Sequence, residues 1–253
     1  MTSGEHEIVW RPAVPSPTLE AGSVDVWRVA LDRDPGTVAE FRTLLSLDER
    51  QRADRFHFPV HRNRFTVGRG VLRRVLGRYL DLPPSSLQFA YGEHGKPCLV
   101  ASSRRQDLEF NVSHAADVAL LGITRRRPLG IDIEEIRRDD DLGKLAERYF
   151  SPREVVALRA LPPALRRTGF FDCWTRKEAY IKAVGAGLTM PLDGFSVSLS
   201  PGEPAALLHA EGDPDAGARW TFRELDVGDR FRAALAVKEP INSLNGWYDT
   251  FYR

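Results

Sequence analysis

The stretch Phe171–Leu188, FDCWTRKEAYIKAVGAGL, constrains this chain more than any other. Trp174, Glu178 and Lys182 are spaced four apart, which places them along one face of a helix. Phe170, Phe171, Tyr180 and Ile181 supply apolar area, and Gly185, Gly187 and Pro191 mark the stop. The spacing predicts one helix that carries Lys177, Glu178 and Lys182 among large apolar residues. A solvated Glu178–Lys182 pair at i, i+4 would contribute roughly a few tenths of a kcal/mol and nothing more. A second acidic segment upstream takes weight from that reading.

Leu129–Ile136, LGIDIEEI, alternates as a strand does. Leu129, Ile131 and Ile133 can face a core, which leaves Asp132 and Glu134 side by side on the opposite face. Paired carboxylates repel unless solvent or a cation separates them. Two strand carboxylates, a helical glutamate and a lysine one turn on make a plausible hard-cation site facing a phosphate-bearing ligand.

The 253 residues suit one large domain or two small ones. The net charge of +1 predicts neither a nucleic-acid nor a membrane partner. Cys98 and Cys173, the two cysteines, lack metal or redox spacing and read as free thiols in a reducing compartment. No apolar run is long enough to span a bilayer, and no secretory leader is visible, so a cytoplasmic setting is expected.

Taken in order, Met1–Ala21 reads as an extended leader and Val24–Leu31 as the first strand. Thr37–Leu45 is helical. Ser46 with Glu49 forms a capping box for a short helix over Leu47–Phe56. Asn63–Leu80 is an amphipathic helix with a basic outer face. Most of its arginines are expected to be solvated; the alternative is that some turn inward to an anion, which the planar guanidinium suits. Leu87–Tyr91 is a short strand, and Gly92–Pro97, GEHGKP, holds Lys96 on a loop. Leu108–Val112 and Val118–Thr124 form a hairpin with His114 at its tip. The basic Arg125–Pro128 turn leads into the acidic strand, and Arg137–Asp141 is a charged loop. Leu142–Tyr149 is a helix; Ser151, Pro152 and Glu154 start another. Phe195–Leu199, Trp220–Leu225 and Phe231–Val237 are strands, and Glu239–Arg253 carries no signal. The element order therefore divides into a leader (1–21), two comparable α/β halves (22–125 and 126–240) and a tail (241–253).

Gly95-Lys96-Pro97, Phe110–His114 (FNVSH), Gly130–Glu134 (GIDIE) and Trp174–Ala179 (WTRKEA) with Ile181-Lys182 occur in that order. Together, over about residues 24–237, they closely resemble the 4′-phosphopantetheinyl transferases of the single-chain, two-subdomain Sfp type. The resemblance implies an α+β fold of two similar α/β subdomains related by a pseudo-twofold, with a ligand cleft between them. It implies holo-[acyl-carrier-protein] synthase chemistry: the phosphopantetheine arm of coenzyme A moves to a serine of an apo acyl or peptidyl carrier protein and 3′,5′-ADP leaves. By motif match, Asp132, Glu134 and Glu178 bind Mg2+, and Lys182 reaches the pyrophosphate. Glu178, directly or through water, and Lys182 are both candidates for the base. Ser113 and His114 match a phosphate-contacting pair, and Lys96 matches a loop lysine near the adenine. Arg52 and Arg64 match basic residues around the 3′-phosphate. Glu49 departs from a lysine found in some relatives, with Arg50, Arg55 and Arg69 as the nearest replacements. A single chain that contains both halves is expected to act as a monomer. Fatty-acid, polyketide and nonribosomal-peptide carriers all remain open.

Two other classes compete with this reading. A coenzyme A- or nucleotide-binding protein without transfer activity needs no complete set of carboxylates. A Mg2+-dependent nuclease or phosphohydrolase gives no role to the tryptophan-bearing helix or to the lysine and histidine loops.

Overall fold

The computed structural model describes residues 8–249 apart from 15–16, 93–94, 101–106, 138–140 and 186. Parts of the leader (1–7 and 15–16), Glu93 and His94 of the lysine loop, 138–140 of the charged loop and 250–253 thus lie outside the described residues. The chain runs β1 (Trp10–Pro12), β2 (Ser23–Ala30), α1 (Pro35–Leu44), α2 (Leu47–Asp54), α3 (Pro59–Leu80), β3 (Phe89–Tyr91), β4 (Pro97–Leu99), β5 (Leu108–Ala115) and β6 (Val118–Arg125). It continues with β7 (Leu129–Glu135), α4 (Leu142–Tyr149), α5 (Pro152–Ala160), α6 (Pro163–Val184), β8 (Phe195–Val197), β9 (Leu207–Ala210), α7 (Ala216–Arg219), β10 (Trp220–Glu224), β11 (Phe231–Lys238) and β12 (Ser243–Tyr248). The class is α+β, as expected.

The same strand order occurs twice. In the first half β2 pairs antiparallel with β6, and β6 with β5; in the second, β7 pairs antiparallel with β11, and β11 with β10. Each half also carries a 22-residue helix, α3 or α6. The two sheets stack on each other. Val24 and Val26 of β2 and Leu120 of β6 pack with Leu129, Ile131 and Ile133 of β7 and Leu235 and Val237 of β11. The opposite face of the first sheet, through Trp27, Val29, Leu121 and Ile123, meets Val67, Val71, Val75 and Leu76 of α3. The opposite face of the second, through Ala234 and Ala236, meets α6. Period-2 alternation along each strand therefore feeds two cores at once.

Three expectations need correction. The central helix starts at Pro163, not Phe171. The Pro162-Pro163 pair that stops α5 also opens α6, because a proline at N1 loses no helical hydrogen bond; the exposed residues 164–167 lack the apolar period that would reveal the first turns. His114 is not at the hairpin tip. It lies inside β5, opposite Ala119, and the tip is Ala116-Asp117 with Ala116 at φ +47°. The silent C-terminal segment holds β12, which pairs parallel with β2 on one side and β1 on the other. β12 is short and sits among mixed residues, and its ladder lies more than 200 residues away, so no local signal exposes it.

Candidate functional site

β7 is an edge strand of the small sheet, and the odd residues of β5 stand against that edge. Asn111 Oδ1 accepts from Ile131 N at 2.9 Å, and Ser113 Oγ accepts from Ile133 N at 3.4 Å. Side chains of β5 thus satisfy backbone donors of β7 where no ladder continues. The signal for this role is in the sequence, as two polar residues, Asn111 and Ser113, at i, i+2 within an apolar strand.

On the other face of β7, Gly130 lets α6 lie directly against the strand. A Cβ there would collide with the Ala179 carbonyl oxygen and the Ala183 nitrogen, both backbone atoms of α6. That approach brings Glu178 and Lys182 to Asp132. Asp132 is 3% exposed. Its Oδ1 accepts from Ser113 Oγ at 2.8 Å and from Lys182 Nζ at 2.6 Å, whereas Oδ2 is buried with no hydrogen-bond partner. Burial pushes the carboxyls of Glu134 and Glu178 above the usual carboxylate range, and the Asp132 charge adds to both. Burial and mutual repulsion with a bare oxygen at the centre are what a hard cation would relieve. Among the described residues, no three acidic, histidine or cysteine side chains already converge as a cage. Magnesium needs only one or two carboxylates when substrate phosphates and water complete its shell, so the donor set fits that ion.

Lys96 does not project freely from its loop. Its ammonium donates to the Leu129 carbonyl at 3.2 Å and the Lys182 carbonyl at 2.8 Å, tying the first half to both elements of the acidic site. Burial lowers its pKa. Lys96, Asn111, Val112, Glu178, Ile181 and Lys182 line a cavity of about 450 Å³.

A second cavity of about 520 Å³ shares Gly95, Pro97 and Val112 with the first. The even residues of β5 face it, so His114 looks away from Ser113 and onto α3. Arg52, His61, Arg64, Arg69 and His114 give it cationic or donor groups, and Phe56, Phe65 and Leu72 give it apolar walls. The expected pair Ser113–His114 is therefore divided: His114 lines this cavity, whereas Ser113 is buried against Asp132. Burial pulls the His114 pKa below its ordinary value, and the Lys182 charge adds to that. Arg64 grips Asp32 through two hydrogen bonds of 2.6 and 2.7 Å at the surface, and Arg52 lies over the Phe65 ring. Arg69 is committed to Glu49 and to the Tyr91 hydroxyl. Glu49 is buried, and Arg73 donates to it at 2.6 Å. Burial raises its pKa, but the Arg73 hydrogen bond and the Arg69 charge outweigh that and hold it below the usual range. The glutamate at this position is thus a structural anchor for α2 against α3.

The tryptophan-bearing motif also divides. Lys177 is fully buried, 2.8 Å from Glu154 and donating to the Phe195 carbonyl at 2.7 Å. Glu154 in turn accepts from Ser151 N and Val197 N. Lys177 and Trp174, which stacks on Phe170, hold the helix in its core; Glu178 and Lys182 face the seam. The basic turn is likewise structural in part. Arg127 is buried and donates to the Pro240 carbonyl, and Arg125 pairs with Asp107.

Comparison with known proteins follows the same division. The model of the 4′-phosphopantetheinyl transferase superfamily matches residues 128–236, and that of the 4′-phosphopantetheinyl transferase, N-terminal, family matches 35–125. The chain is 42% identical over 228 residues to the 4′-phosphopantetheinyl transferase HetI of Nostoc sp. (strain PCC 7120), covering 90% of this chain and 93% of that protein. It is 29% identical over 205 residues to the 4′-phosphopantetheinyl transferase Sfp of Bacillus subtilis (strain 168), covering 79% and 85%. The solved holo-[acyl-carrier-protein] synthase of Thermotoga maritima is 27% identical, covers 45% of this chain and 63% of its own, and gives a TM-score of 0.36.

Proposed function

The chain belongs to the 4′-phosphopantetheinyl transferase superfamily, and from that membership we propose that its seam moves the phosphopantetheine arm of coenzyme A onto a serine of an apo acyl or peptidyl carrier protein. The observation that carries this reading is the buried, under-satisfied Asp132 held by Lys182, which with Glu178 lines one cavity, next to a second cavity that shares its walls and is basic and apolar-lined. A nucleotide needs the basic cavity and a diphosphate the acidic one with its lysine.

In this reading the adenosine 3′-phosphate lies among Arg52, Arg64 and His61. Asp32, the present partner of Arg64, is exposed, so exchanging it for a phosphate costs little. His114, which lines the basic cavity, can donate to a phosphate oxygen. Lys96 fixes the rim of the groove. Asp132, Glu134 and Glu178 would hold Mg2+, which supplies positive charge against the diphosphate when bound. The carrier serine hydroxyl attacks the β-phosphorus, the bond from that phosphorus to the bridging oxygen breaks, and 3′,5′-ADP leaves. Glu178 takes the serine proton through a water, because a carboxylate that holds the metal is a poor direct base. Lys182 is engaged as a cation by Asp132, which makes it the weaker candidate.

The two halves are read as subdomains of 22–125 and 126–240, with β12 returning to the first. One chain supplies both, which supports a monomer. No helix among the described residues is long and apolar enough to cross a membrane, and both cysteines are free, which supports a soluble, cytoplasmic setting. With Arg125 and Arg127 spent internally, the exposed Arg153, Arg159, Arg166 and Arg167 of α5 and α6 are the better surface for steering an acidic carrier. Glutamate at Arg166 and Arg167 is expected to raise the carrier KM severalfold with kcat unchanged; an unchanged KM removes this surface.

Product analysis tests the reaction class. 3′,5′-ADP is expected only when coenzyme A, Mg2+ and an apo carrier are all present. Nucleotide release without carrier would mean hydrolysis and would overturn the transferase reading.

A further inference from the structure

Lys182 stands where a cation belongs. Its ammonium is 2.6 Å from Asp132 Oδ1 and 3.0 Å from Ser113 Oγ, and Ser113 Oγ donates to the same oxygen. Lys182 reaches across to β7 for this contact, although Glu178 lies one turn away on its own helix. Its backbone cannot drift, because Lys96 holds its carbonyl and α6 rests on Gly130. Its side chain can swing, with four rotatable bonds and 28% exposure against 4% for Asp132.

We propose that Lys182 is the resident counter-ion of Asp132 and is handed to the coenzyme A diphosphate when that substrate binds, so that metal and coenzyme A load cooperatively. The inference rests on the reading above of Asp132, Glu134 and Glu178 as a Mg2+ site. A divalent ion that approaches Asp132 in the free protein meets an ammonium already on Oδ1. Displacing it leaves a half-buried charge without a partner, which is costly. The diphosphate gives that charge a new partner within the same groove and frees Asp132 in the same event. By linkage, coenzyme A then tightens Mg2+ binding and Mg2+ tightens coenzyme A binding by the same factor.

The test is calorimetric titration of Mg2+ into the full chain and into Lys182→Met, each without and with saturating coenzyme A, in the absence of carrier. Heats of Mg2+ into coenzyme A alone are subtracted. Lys182→Gln serves as a second variant should the methionine protein melt early. Without coenzyme A, the variant is expected to bind Mg2+ at least tenfold tighter than the parent. On adding coenzyme A, the parent is expected to gain at least tenfold more affinity than the variant gains. In the parent, the lysine side-chain nitrogen spectrum should show a protected ammonium signal that shifts with coenzyme A alone. Equal Mg2+ affinity of parent and variant without coenzyme A, or an equal gain from coenzyme A in both, overturns the handoff and leaves the metal site standing. Asp132→Asn separates the two readings: if it leaves the parent's Mg2+ affinity unchanged, the metal site itself falls and the handoff with it.

Discussion

Asp132 and Asp172 are both buried acids, and they show how differently one side-chain type is used. Asp132 has a lysine and a serine on one oxygen and nothing on the other. Asp172, on α6, lies 3.2 Å from the Arg232 guanidinium, and burial raises its pKa to about 6, with the Arg176 charge opposing. Between its unfolded value near 3.8 and about 6, the folded chain holds that proton more tightly than the unfolded one. Stability from this group is therefore full below pH 4, falls as pH rises to about 6 and is level above, a change of about 3 kcal/mol. Melting temperatures of the parent and Asp172→Asn across pH 4 to 8 check this. The parent should lose ground to the variant up to about pH 6.5 and hold a constant difference above 7; a difference that does not vary with pH contradicts it. Residue types that meet at the α6–β7 crossing were legible: Asp132, Glu134, Glu178 and Lys182 were singled out by spacing alone. Their partners were not. Nothing local distinguishes Lys177, which is locked to Glu154 in the core, from Lys182, which faces the groove, because that choice depends on which side of α6 meets the sheet.

The element that decides the site is the crossing of α6 over β7. Sequence patterning placed the strand and the C-terminal part of the helix and put Asp132 and Glu134 on one face. It did not show that the glycine before them is the contact point. Any side chain at Gly130 meets backbone of α6, which cannot rotate aside as a side chain can. Gly130→Ala is expected to lower stability by about 3 kcal/mol, at the upper end for overpacking, and to weaken Mg2+ binding as Glu178 is lifted from Asp132. Denaturant unfolding and metal titration of the same variant check both effects. A fully stable variant with unchanged metal affinity would mean that α6 does not need this approach. The buried Lys177–Glu154 pair serves the same crossing from the opposite side of the helix. Removing one partner of such a pair typically costs about 3–5 kcal/mol, so the motif's conspicuous lysine belongs to stability, while the neighbouring Glu178 faces the groove.

Across the whole molecule, two sheets of like strand order stack back to back, and Ser113, Asp132 and Lys182 gather where β5 of one meets β7 of the other. That helices and strands recur in like order was legible. The closure of the molecule was not. β12 returns to β2, where Asn245 donates to the buried Asp25 at 2.8 Å, and Trp10 of β1 donates to the Asp226 carbonyl between β10 and β11. Both termini thus brace the halves that form the groove, through ladders whose partners lie at the far end of the chain. In the proposed function this seam transfers phosphopantetheine with the aid of its acidic cluster. Intact-mass measurement of an apo carrier protein after incubation with the chain, coenzyme A and Mg2+ tests it most directly, with Glu178→Gln and a chelator-treated sample alongside. The expected result is a gain of one phosphopantetheine, absent in both controls. No gain on fatty-acid, polyketide or peptide carriers, or an undiminished gain with Glu178→Gln, would contradict it.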